Sequence, residues 1–220
     1  MTTRERLLQV AAEEFAAKGF QEATVAEICR LAEANIAAIN YHFGGKEALY
    51  QETWRQAHRA MLEAFPPDGG VPATASAAAR LRGRLRAMLQ RGLHPDDREF
   101  RLMDREMVQP TGLLAQVVHD SLEPLRRATA GIVLELLGGA ADAETVRLCI
   151  ASVIGPCLFV MRGRRVPQHA EAPPPPGPEK LDELTDHFTA FALAGIDAVR
   201  QRLTSAVRPR GPTPEAGAVR

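Results

Sequence analysis

Hydrophobic residues recur every three or four positions along most of this 220-residue chain, which is the period of amphipathic α-helices. Alanine and leucine are frequent, whereas clusters of the β-branched residues that favour strands are sparse. The pattern therefore predicts an all-α protein. About nine helices are expected, over residues 3–18, 25–31, 36–42, 46–64, 75–93, 96–108, 112–137, 143–165 and 179–204.

Capping residues support the boundaries of these helices. Thr24 and Glu27 have the spacing of a capping box, in which Thr24 caps the helix and Glu27 reaches back to it. Asn35 and Asp142 are good N-caps for the helices that follow them. Gly19 is expected to end the first helix, because glycine readily adopts the left-handed conformation found after a last helical turn.

Proline and glycine clusters predict where the helical pattern is interrupted. Residues 66–72 have the composition of a linker, and residues 168–178 contain four consecutive prolines and are expected to form an exposed or disordered loop. Residues 207–220 are expected to be a disordered tail. Within helices, Pro124 is expected to break or kink the chain, and Gly155 with Pro156 is expected to bend it.

Composition limits the kind of protein and its location. Lys and Arg number 27 and Asp and Glu number 27, so the formal net charge is zero. The overall charge therefore indicates neither an acidic partner nor a basic one. Three scattered cysteines suit a reducing compartment rather than a disulfide scaffold. The N-terminal residues have no uncharged apolar core, and the longest apolar run, Leu148 to Met161, is shorter than the roughly 20 residues of a membrane-spanning helix. We therefore expect a cytoplasmic protein with no membrane partner.

Two short capped helices separated by a turn of about four residues form a helix-turn-helix pattern near the N-terminus. In such a motif the second helix enters the major groove of DNA. Ala37 and Ala38 are small enough for close approach to a thymine methyl, and Asn40 matches the edge of adenine. His42 and Lys46 are placed to contact phosphates. Tyr41 has two open interpretations, a phosphate contact or packing on the preceding helix.

The segment from Leu7 to Leu49 resembles the DNA-binding domain of the TetR family of bacterial transcriptional regulators. The resemblance rests on Phe-x-x-Lys-Gly-Phe at residues 15–20, the Thr-capped second helix, and Tyr-His-Phe-Gly-x-Lys-Glu-x-Leu at residues 41–49. Further segments resemble the CecR-like branch of the family. They are residues 35–43, 105–111, 157–159 and 191–196.

The resemblance implies a domain organisation and a mode of action. Residues 1–48 form a three-helix helix-turn-helix domain, helix 46–64 connects the domains, and residues 49–206 form a helical ligand-binding and dimerisation domain. The implied function is a homodimeric repressor that binds a palindromic double-stranded DNA operator and is released by a small-molecule effector. Transport or efflux genes are the implied targets.

Three sets of candidate residues follow. The DNA-binding set is Arg4, Thr24, Val25, Asn35, Ile36, Ala37, Ala38, Asn40, Tyr41, His42 and Lys46. The ligand-pocket set is Phe100, Met103, Met107, His119 and Phe159. The dimer-interface set is Ile150, Ile154, Cys157, Phe188, Phe191 and Gly195. No catalytic residue, metal ligand or cofactor is expected.

Several features keep alternatives open. Glu33 occupies the turn position at which the family usually has glycine, Ala26 replaces a longer contact residue, and residues 1–58 carry six basic and eight acidic side chains. These features suit a helical ligand- or protein-binding dimer that has lost DNA binding. An enzyme is disfavoured, because the chain has no nucleophile elbow, phosphate loop or dinucleotide-binding glycine pattern.

Two further features also have two interpretations each. Five arginines between residues 80 and 91 are expected to form a solvated helix face, with a weak site for an acidic partner as the alternative. Cys149 and Cys157 are eight residues apart on one predicted helix, too far for a disulfide between them. Burial is the expected role of both thiols, and redox sensing is the alternative.

Overall fold

We describe a computed structural model of the chain over residues 1–95, 98–139, 141–163 and 176–207. These residues form nine α-helices and one 3-10 helix, with no strand among them, which confirms the all-α prediction. In chain order the helices are α1 (Thr3–Glu22), α2 (Val25–Leu31), α3 (Ile36–Phe43), α4 (Lys46–Ala64), α5 (Ala77–Leu93), α6 (Arg98–Val108), α7 (Ala115–Leu136), α8 (Ala143–Gly163) and α9 (Leu181–Val207), with the 3-10 helix at Pro178–Lys180.

Most boundaries lie within three residues of the predicted ones. Gly19 has a positive φ (81°) with an extended ψ (172°), and it kinks α1 without ending it, since one further turn follows. Pro124 does not break the chain, since α7 runs through it, and α8 likewise runs through Pro156. The predicted helix start at residue 96, the helix end at residue 165, most of the 168–178 loop and the tail beyond residue 207 lie outside the described residues.

Helix caps agree with the sequence in part. Asn35 Oδ1 accepts a hydrogen bond from the Ala37 amide at 2.9 Å, and Asp142 Oδ1 accepts one from the Thr145 amide at 2.7 Å. Both predicted caps are confirmed. A complete capping box lies at the start of α1, where sequence analysis did not identify one. Its two partners are Thr2 and Glu5.

The predicted capping box at α2 is half right. Thr24 Oγ1 accepts a hydrogen bond from the Glu27 amide at 3.2 Å, as a cap should. The Glu27 carboxylate does not reach back, because it pairs with the Arg30 guanidinium one turn later at 2.8 Å. A charge-assisted pair is stronger than a bond to a neutral amide, which explains the preference.

The first of two hydrophobic cores lies under the helix-turn-helix. It is built mainly from the inner faces of α1 to α4 and includes the fully buried Phe15, Ile39 and Trp54. α6 contributes Leu102, and Val117 comes from α7. The N-terminal helices therefore do not enclose their core alone, and the packing continues beyond the predicted domain boundary at residue 48.

The second core is formed by α5, α7, α8 and α9. Leu81, Leu85 and Leu89 of α5 are fully buried and face the other three helices. Cys157 of α8 is also fully buried here, and Ile196 of α9 is 3% exposed.

The arginines of α5 do not form the solvated face that the sequence predicted. Arg82 pairs with Asp186 of α9 at 2.7 Å, and Arg86 pairs with Asp182 at 2.9 Å. Arg80 pairs with Glu135 of α7. α7 and α9 flank α5 and bring carboxylates to it, so these arginines connect helices at the surface.

The three cysteines are buried in the core rather than placed for redox sensing. Burial raises the pKa of the Cys157 thiol to about 12, and it also raises the pKa of Cys29 and Cys149. We expect Cys157 to hold about a thousandfold less thiolate at pH 8 than an ordinary thiol, and to react with iodoacetamide only after unfolding. Mass spectrometry of native and guanidine-unfolded protein measures this. Rapid alkylation of native Cys157 would contradict it.

Candidate nucleic-acid interface and ligand cavity

α3 presents one uncovered face to solvent. Ile36, Ala37, Asn40 and Tyr41 share this face by helical spacing, and all four are exposed. Ile36 is 52% exposed and Tyr41 is 85% exposed, whereas Ile39 on the opposite side is 1% exposed. Large apolar and aromatic side chains that no described residue covers are typical of a binding surface.

The structure distinguishes among the other candidate residues of this region. Tyr41 does not pack on α2, so that interpretation is wrong, and its ring lies edge-on to His42 at 4.9 Å between centroids. Thr24 and Asn35 are exposed at the starts of α2 and α3. Ala38 and Val25 are half-buried against the first core. Ala38 therefore faces partly inward, which does not suit the close approach to a base that the sequence predicted.

The turn between α2 and α3 is closed by a Schellman motif with glutamate in the glycine position. The Ala34 amide donates to the Cys29 carbonyl at 2.9 Å, and the Glu33 amide donates to the Arg30 carbonyl at 3.3 Å. Glu33 has φ 50°, the sole positive φ among the described non-glycine residues. The unfavourable conformation expected from the sequence is confirmed. Its side chain is exposed beside α3.

Replacing Glu33 with glycine is expected to raise the free energy of unfolding by about 0.5–1 kcal/mol. Glycine removes a left-handed penalty of roughly 1–2 kcal/mol and loses part of that gain to the entropy of its unfolded state. Urea unfolding measures the change. Glu33→Ala removes the same charge without relieving the backbone, and it should not stabilise the protein. Equal stabilisation by both variants would show that charge, not backbone strain, is responsible.

Arg4 and Lys46 are held in place by neighbouring helices. Arg4 pairs with Glu52 at 2.9 Å, and its guanidinium lies 5.4 Å from the centre of the Phe43 ring. The Lys46 ammonium donates to the Gln21 carbonyl at 3.4 Å and lies 4.4 Å from the centre of the Phe20 ring. Both cations therefore stabilise the packing of the motif, and their contact with phosphate stays a prediction.

Basic partners from outside the segment offset part of the negative charge of residues 1–58. Four of the eight glutamates have basic partners, and one of them, Glu13, faces Arg98 and Arg101 of α6. Glu5 is engaged as a helix cap. The other three paired glutamates are Glu14, Glu27 and Glu52. The acidic count alone thus overstates the repulsion that a phosphate would meet.

A cavity of about 810 Å³ lies among α4, α5, α6, α7 and α8. This volume falls in the range of about 300–1,000 Å³ found for sites of drug-sized ligands. Phe100, Met103 and Met107 of α6 line it, as the sequence predicted. His119 and Phe159 do not, because His119 is exposed and Phe159 is 80% exposed on the outer face of α8.

A buried polar cluster in the cavity wall was missed by sequence analysis. His58 Nδ1 lies 2.6 Å from Glu99 Oε1, and both residues are 6% exposed. The His58 ring stacks on Trp54 at 4.9 Å. Arg91 of α5, 9% exposed, lines the same cavity. His58 follows Trp54 by four residues and precedes Met61 by three, so its place in an apolar stripe was the available signal.

Several candidate dimer residues face the interior of the subunit. Ile150 and Ile154 line the cavity, and Cys157 belongs to the second core. The prediction that these three residues form the dimer interface is therefore wrong. Phe188 is half-buried against the second core. The most exposed large apolar residues of these two helices are Leu148 and Phe159 on α8 and Phe191 on α9, with Gly195 also exposed on α9.

α8 is the one described helix long and apolar enough to cross a membrane by length and composition. The core helix of a globular protein can have the same length and composition, and α8 packs against α5, α7 and α9. Only 28% of its most apolar stretch is buried within the subunit. Much of its apolar surface is therefore left for a second contact.

α6 joins the cavity to the helix-turn-helix. One side carries the cavity residues, and the other side holds α1 through Arg105, which donates to the Ala16 carbonyl at 3.3 Å and to the Ala17 carbonyl. Glu106 accepts a hydrogen bond from the Tyr50 hydroxyl of α4 at 3.2 Å. Burial and the Glu106 carboxylate raise the pKa of Tyr50 well above its usual value, so this hydroxyl stays a donor.

Comparison with known families gives two matches. Residues 7–53 match the N-terminal domain of bacterial regulatory proteins of the TetR family. Residues 77–196 match the C-terminal domain of the HTH-type transcriptional dual regulator CecR. Together the matches cover the uncovered face of α3 and most of the cavity wall.

Individual relatives agree with these matches. The chain is 27% identical over 132 residues to the HTH-type transcriptional regulator SrpR of Pseudomonas putida, covering 54% of this chain and 59% of the relative. It is 27% identical over 159 residues to an uncharacterized HTH-type transcriptional regulator, YdgC, of Bacillus subtilis, covering 69% and 77%. The chain thus spans less than two thirds of the Pseudomonas regulator.

Solved structures share the fold. A TetR-like regulator from Rhodococcus sp. RHA1 superposes with a TM-score of 0.63 at 19% identity, covering 89% of this chain and 96% of that one. AibR, solved with isovaleryl coenzyme A and operator DNA, superposes with a TM-score of 0.65 at 14% identity, covering 86% and 97%. Relatives of both kinds are transcriptional regulators and not enzymes. The chain belongs to the TetR family of DNA-binding transcriptional regulators and carries a CecR-type C-terminal domain.

Proposed function

We propose that the protein is a cytoplasmic, homodimeric repressor that binds a palindromic operator and leaves it when a small molecule enters the cavity. Transport or efflux genes are the proposed targets. The observation that carries the proposal is the uncovered face of α3, where Ile36, Ala37, Asn40 and Tyr41 are exposed. In a helix-turn-helix this is the face that meets base edges.

Each exposed side chain has a role that fits the major groove. Asn40 presents an amide that can bond to both adenine N6 and N7. Ile36 and Ala37 offer apolar contact to thymine methyl groups. Tyr41, which extends into solvent, reaches a phosphate or sugar at the groove edge. The proposed base recognition thus relies on the hydrogen bonds of one amide and on apolar contacts that fit the groove.

Exposed apolar side chains on α8 and α9 support the proposed dimer. Leu148, Phe159 and Phe191 are between 52% and 80% exposed in the single subunit. Burial of such side chains against a second subunit is favourable by about 25 cal/mol per Å² of apolar area. A two-fold axis through this face gives two α3 helices in a symmetric pair, as a palindromic operator requires.

Release by a ligand is proposed to act through α6. Phe100 and Met103 face the cavity, while Arg105 and Glu106 of the same helix hold α1 and α4. A ligand that moves α6 therefore moves the helix-turn-helix, and it shifts the population towards heads spaced wrongly for the operator. The AibR structure with isovaleryl coenzyme A and operator DNA, and a Saccharomonospora viridis regulator solved with choline, are neighbours with bound small molecules.

Fluorescence anisotropy tests the proposal. A labelled DNA fragment from upstream of the protein's own gene is titrated beside a scrambled fragment at two salt concentrations. We expect selective, salt-sensitive binding with two chains per site. Equal weak binding to both fragments would contradict operator recognition here, and it would favour the alternative of a helical ligand-binding dimer that no longer reads DNA.

Replacing Lys46 and His42 together with alanine is expected to weaken binding to every sequence alike. Phosphate contacts carry no base information, and loss of the charged Lys46 contact should reduce the slope of log K against log salt by about 0.9. Lys180→Ala on the distant 3-10 helix changes charge without touching the motif and serves as the control. Unchanged affinity and slope in the double variant would show that these side chains do not touch phosphate.

A further inference from the structure

The cavity contains a buried cation with one unsatisfied hydrogen-bond donor. Arg91 lines the cavity and is 9% exposed, and its Nη1 atom makes no hydrogen bond within the described residues. The facing carboxylate, Glu99, is engaged by His58 at 2.6 Å through its other oxygen. An arginine in protein remains protonated, so the cavity keeps a positive charge.

A second arginine on the same side of α5 adds to this charge. Arg84 also lines the cavity, seven residues or two turns before Arg91. Its guanidinium donates to Thr129 Oγ1 at 2.9 Å and to the Leu125 carbonyl at 2.7 Å, which are neutral oxygens. Neither contact offsets its charge. The cavity lining has three other arginines, of which Arg147 and Arg162 have acidic partners and Arg126 is exposed to solvent.

The remaining wall limits the ligand to an amphipathic molecule. Most of the lining is apolar, and it includes Phe100, Met103, Ile150, Ile154 and Leu158. A buried cation with an unsatisfied donor is costly in such surroundings. A cationic ligand would add to the positive charge, and a neutral one would leave it unpaired. A ligand with an anionic group and an apolar body would pair with the arginine and pack against the apolar side chains.

We propose that this cavity, taken as the effector site of the proposed repressor, binds an apolar monocarboxylate whose carboxylate pairs with Arg91. The planar guanidinium matches a carboxylate with two parallel hydrogen bonds. Trp54 Nε1, buried and without a hydrogen-bond partner in the described residues, is a second donor at the cavity wall. The Glu99 Oε2 atom, also without a partner there, repels a second anionic group and restricts the ligand to one.

The protein contains its own probe for this test. Trp54 is the single tryptophan of the chain and it lines the cavity, so its fluorescence reports occupancy. Decanoate, 1-decanol and decyltrimethylammonium share one chain length and differ in charge. We expect decanoate to bind at least about tenfold more tightly than decanol, and the ammonium compound to bind more weakly than either. Equal binding of decanoate and decanol, or no saturable binding of decanoate, would overturn the inference.

Substitution of Arg91 assigns the preference to one side chain. Arg91→Met should abolish the preference for decanoate, and Arg91→Lys should keep most of it. Arg86→Met is the matched control on the same helix, because Arg86 pairs with Asp182 outside the cavity. It should leave the preference intact. Preference retained in Arg91→Met would overturn the inference, and a thermal melt of each variant identifies any that fails to fold.

Binding and regulation can fail separately. Ligand binding is read from Trp54 without DNA, whereas release is read from the anisotropy of the operator complex. Selective decanoate binding that does not release DNA would contradict the regulatory part of the proposed function and support the inference about the cavity. DNA release by decanol as readily as by decanoate would overturn the inference and support the regulator.

Discussion

Replacing Ala37 with glutamate is expected to abolish operator binding and to leave the protein fully folded. Ala37 is exposed in the first turn of α3, beside Asn40 and Tyr41. A carboxylate there would enter a groove lined with phosphates, and we expect affinity to fall by at least about 100-fold. An acidic residue near a helix N-terminus is favourable, so thermal stability should not fall.

A matched control separates local charge from net charge. Ala128→Glu makes the same substitution at an exposed position of α7, far along the chain from the helix-turn-helix. Anisotropy titrations of both variants, with thermal melts, measure the difference. Wild-type affinity in Ala37→Glu would mean that α3 does not enter the groove. Equal losses in both variants would mean that affinity depends on overall charge and not on the face of α3.

Replacing Glu99 with leucine is expected to lower the free energy of unfolding by about 3 kcal/mol. The carboxylate is buried, bonds to His58 at 2.6 Å, and is the acidic side chain that acts on Arg91. Its removal leaves both groups without compensation in the protein interior, and breaking a buried pair in this way typically costs about 3–5 kcal/mol. Urea unfolding followed by Trp54 fluorescence measures the change.

The two partners should not be equivalent. His58→Leu is expected to cost less than Glu99→Leu, because Arg91 remains near the carboxylate. Glu135→Leu removes one partner of the α5–α7 pair with Arg80, which is much more exposed, and should cost less than about 1 kcal/mol. A loss in Glu99→Leu no larger than in Glu135→Leu would show that the buried cluster is not a source of stability.

The helix-turn-helix was predictable because its determinants are local. Asn35 caps α3 through an amide two residues away, and Glu33 closes the turn through bonds within five residues. Such contacts depend on residue type and spacing, which the sequence displays. The prediction of a complete capping box at α2 failed because two contacts compete. The Glu27 carboxylate pairs with Arg30 and not with the amide of Thr24.

The cavity was predictable only in part because its partners are distant in sequence. Phe100, Met103 and Met107 were found because they share one face of α6. The His58–Glu99 pair joins residues 41 positions apart, and Arg82 meets Asp186 over 104 positions. A helical period shows which residues share a face. It does not show which face of another helix lies opposite.

α8 shows the same limit most clearly. It is apolar on nearly all sides, so no polar stripe indicates which side faces solvent. Ile150 and Ile154, predicted at the dimer interface, line the cavity, and Phe159, predicted in the pocket, is exposed. Rotation of the helix relative to the prediction explains all three assignments together.

Selection of bound genomic fragments tests sequence-specific DNA recognition through α3 most directly. Fragmented DNA from the source organism is captured on the purified protein, sequenced, and compared with DNA captured on Ala37→Glu. We predict that wild-type protein enriches fragments sharing an inverted repeat, with half-sites about one helical turn or slightly more apart, and that the variant enriches none. Equal recovery of fragments by the two proteins, with no shared repeat, would contradict recognition of an operator by this face.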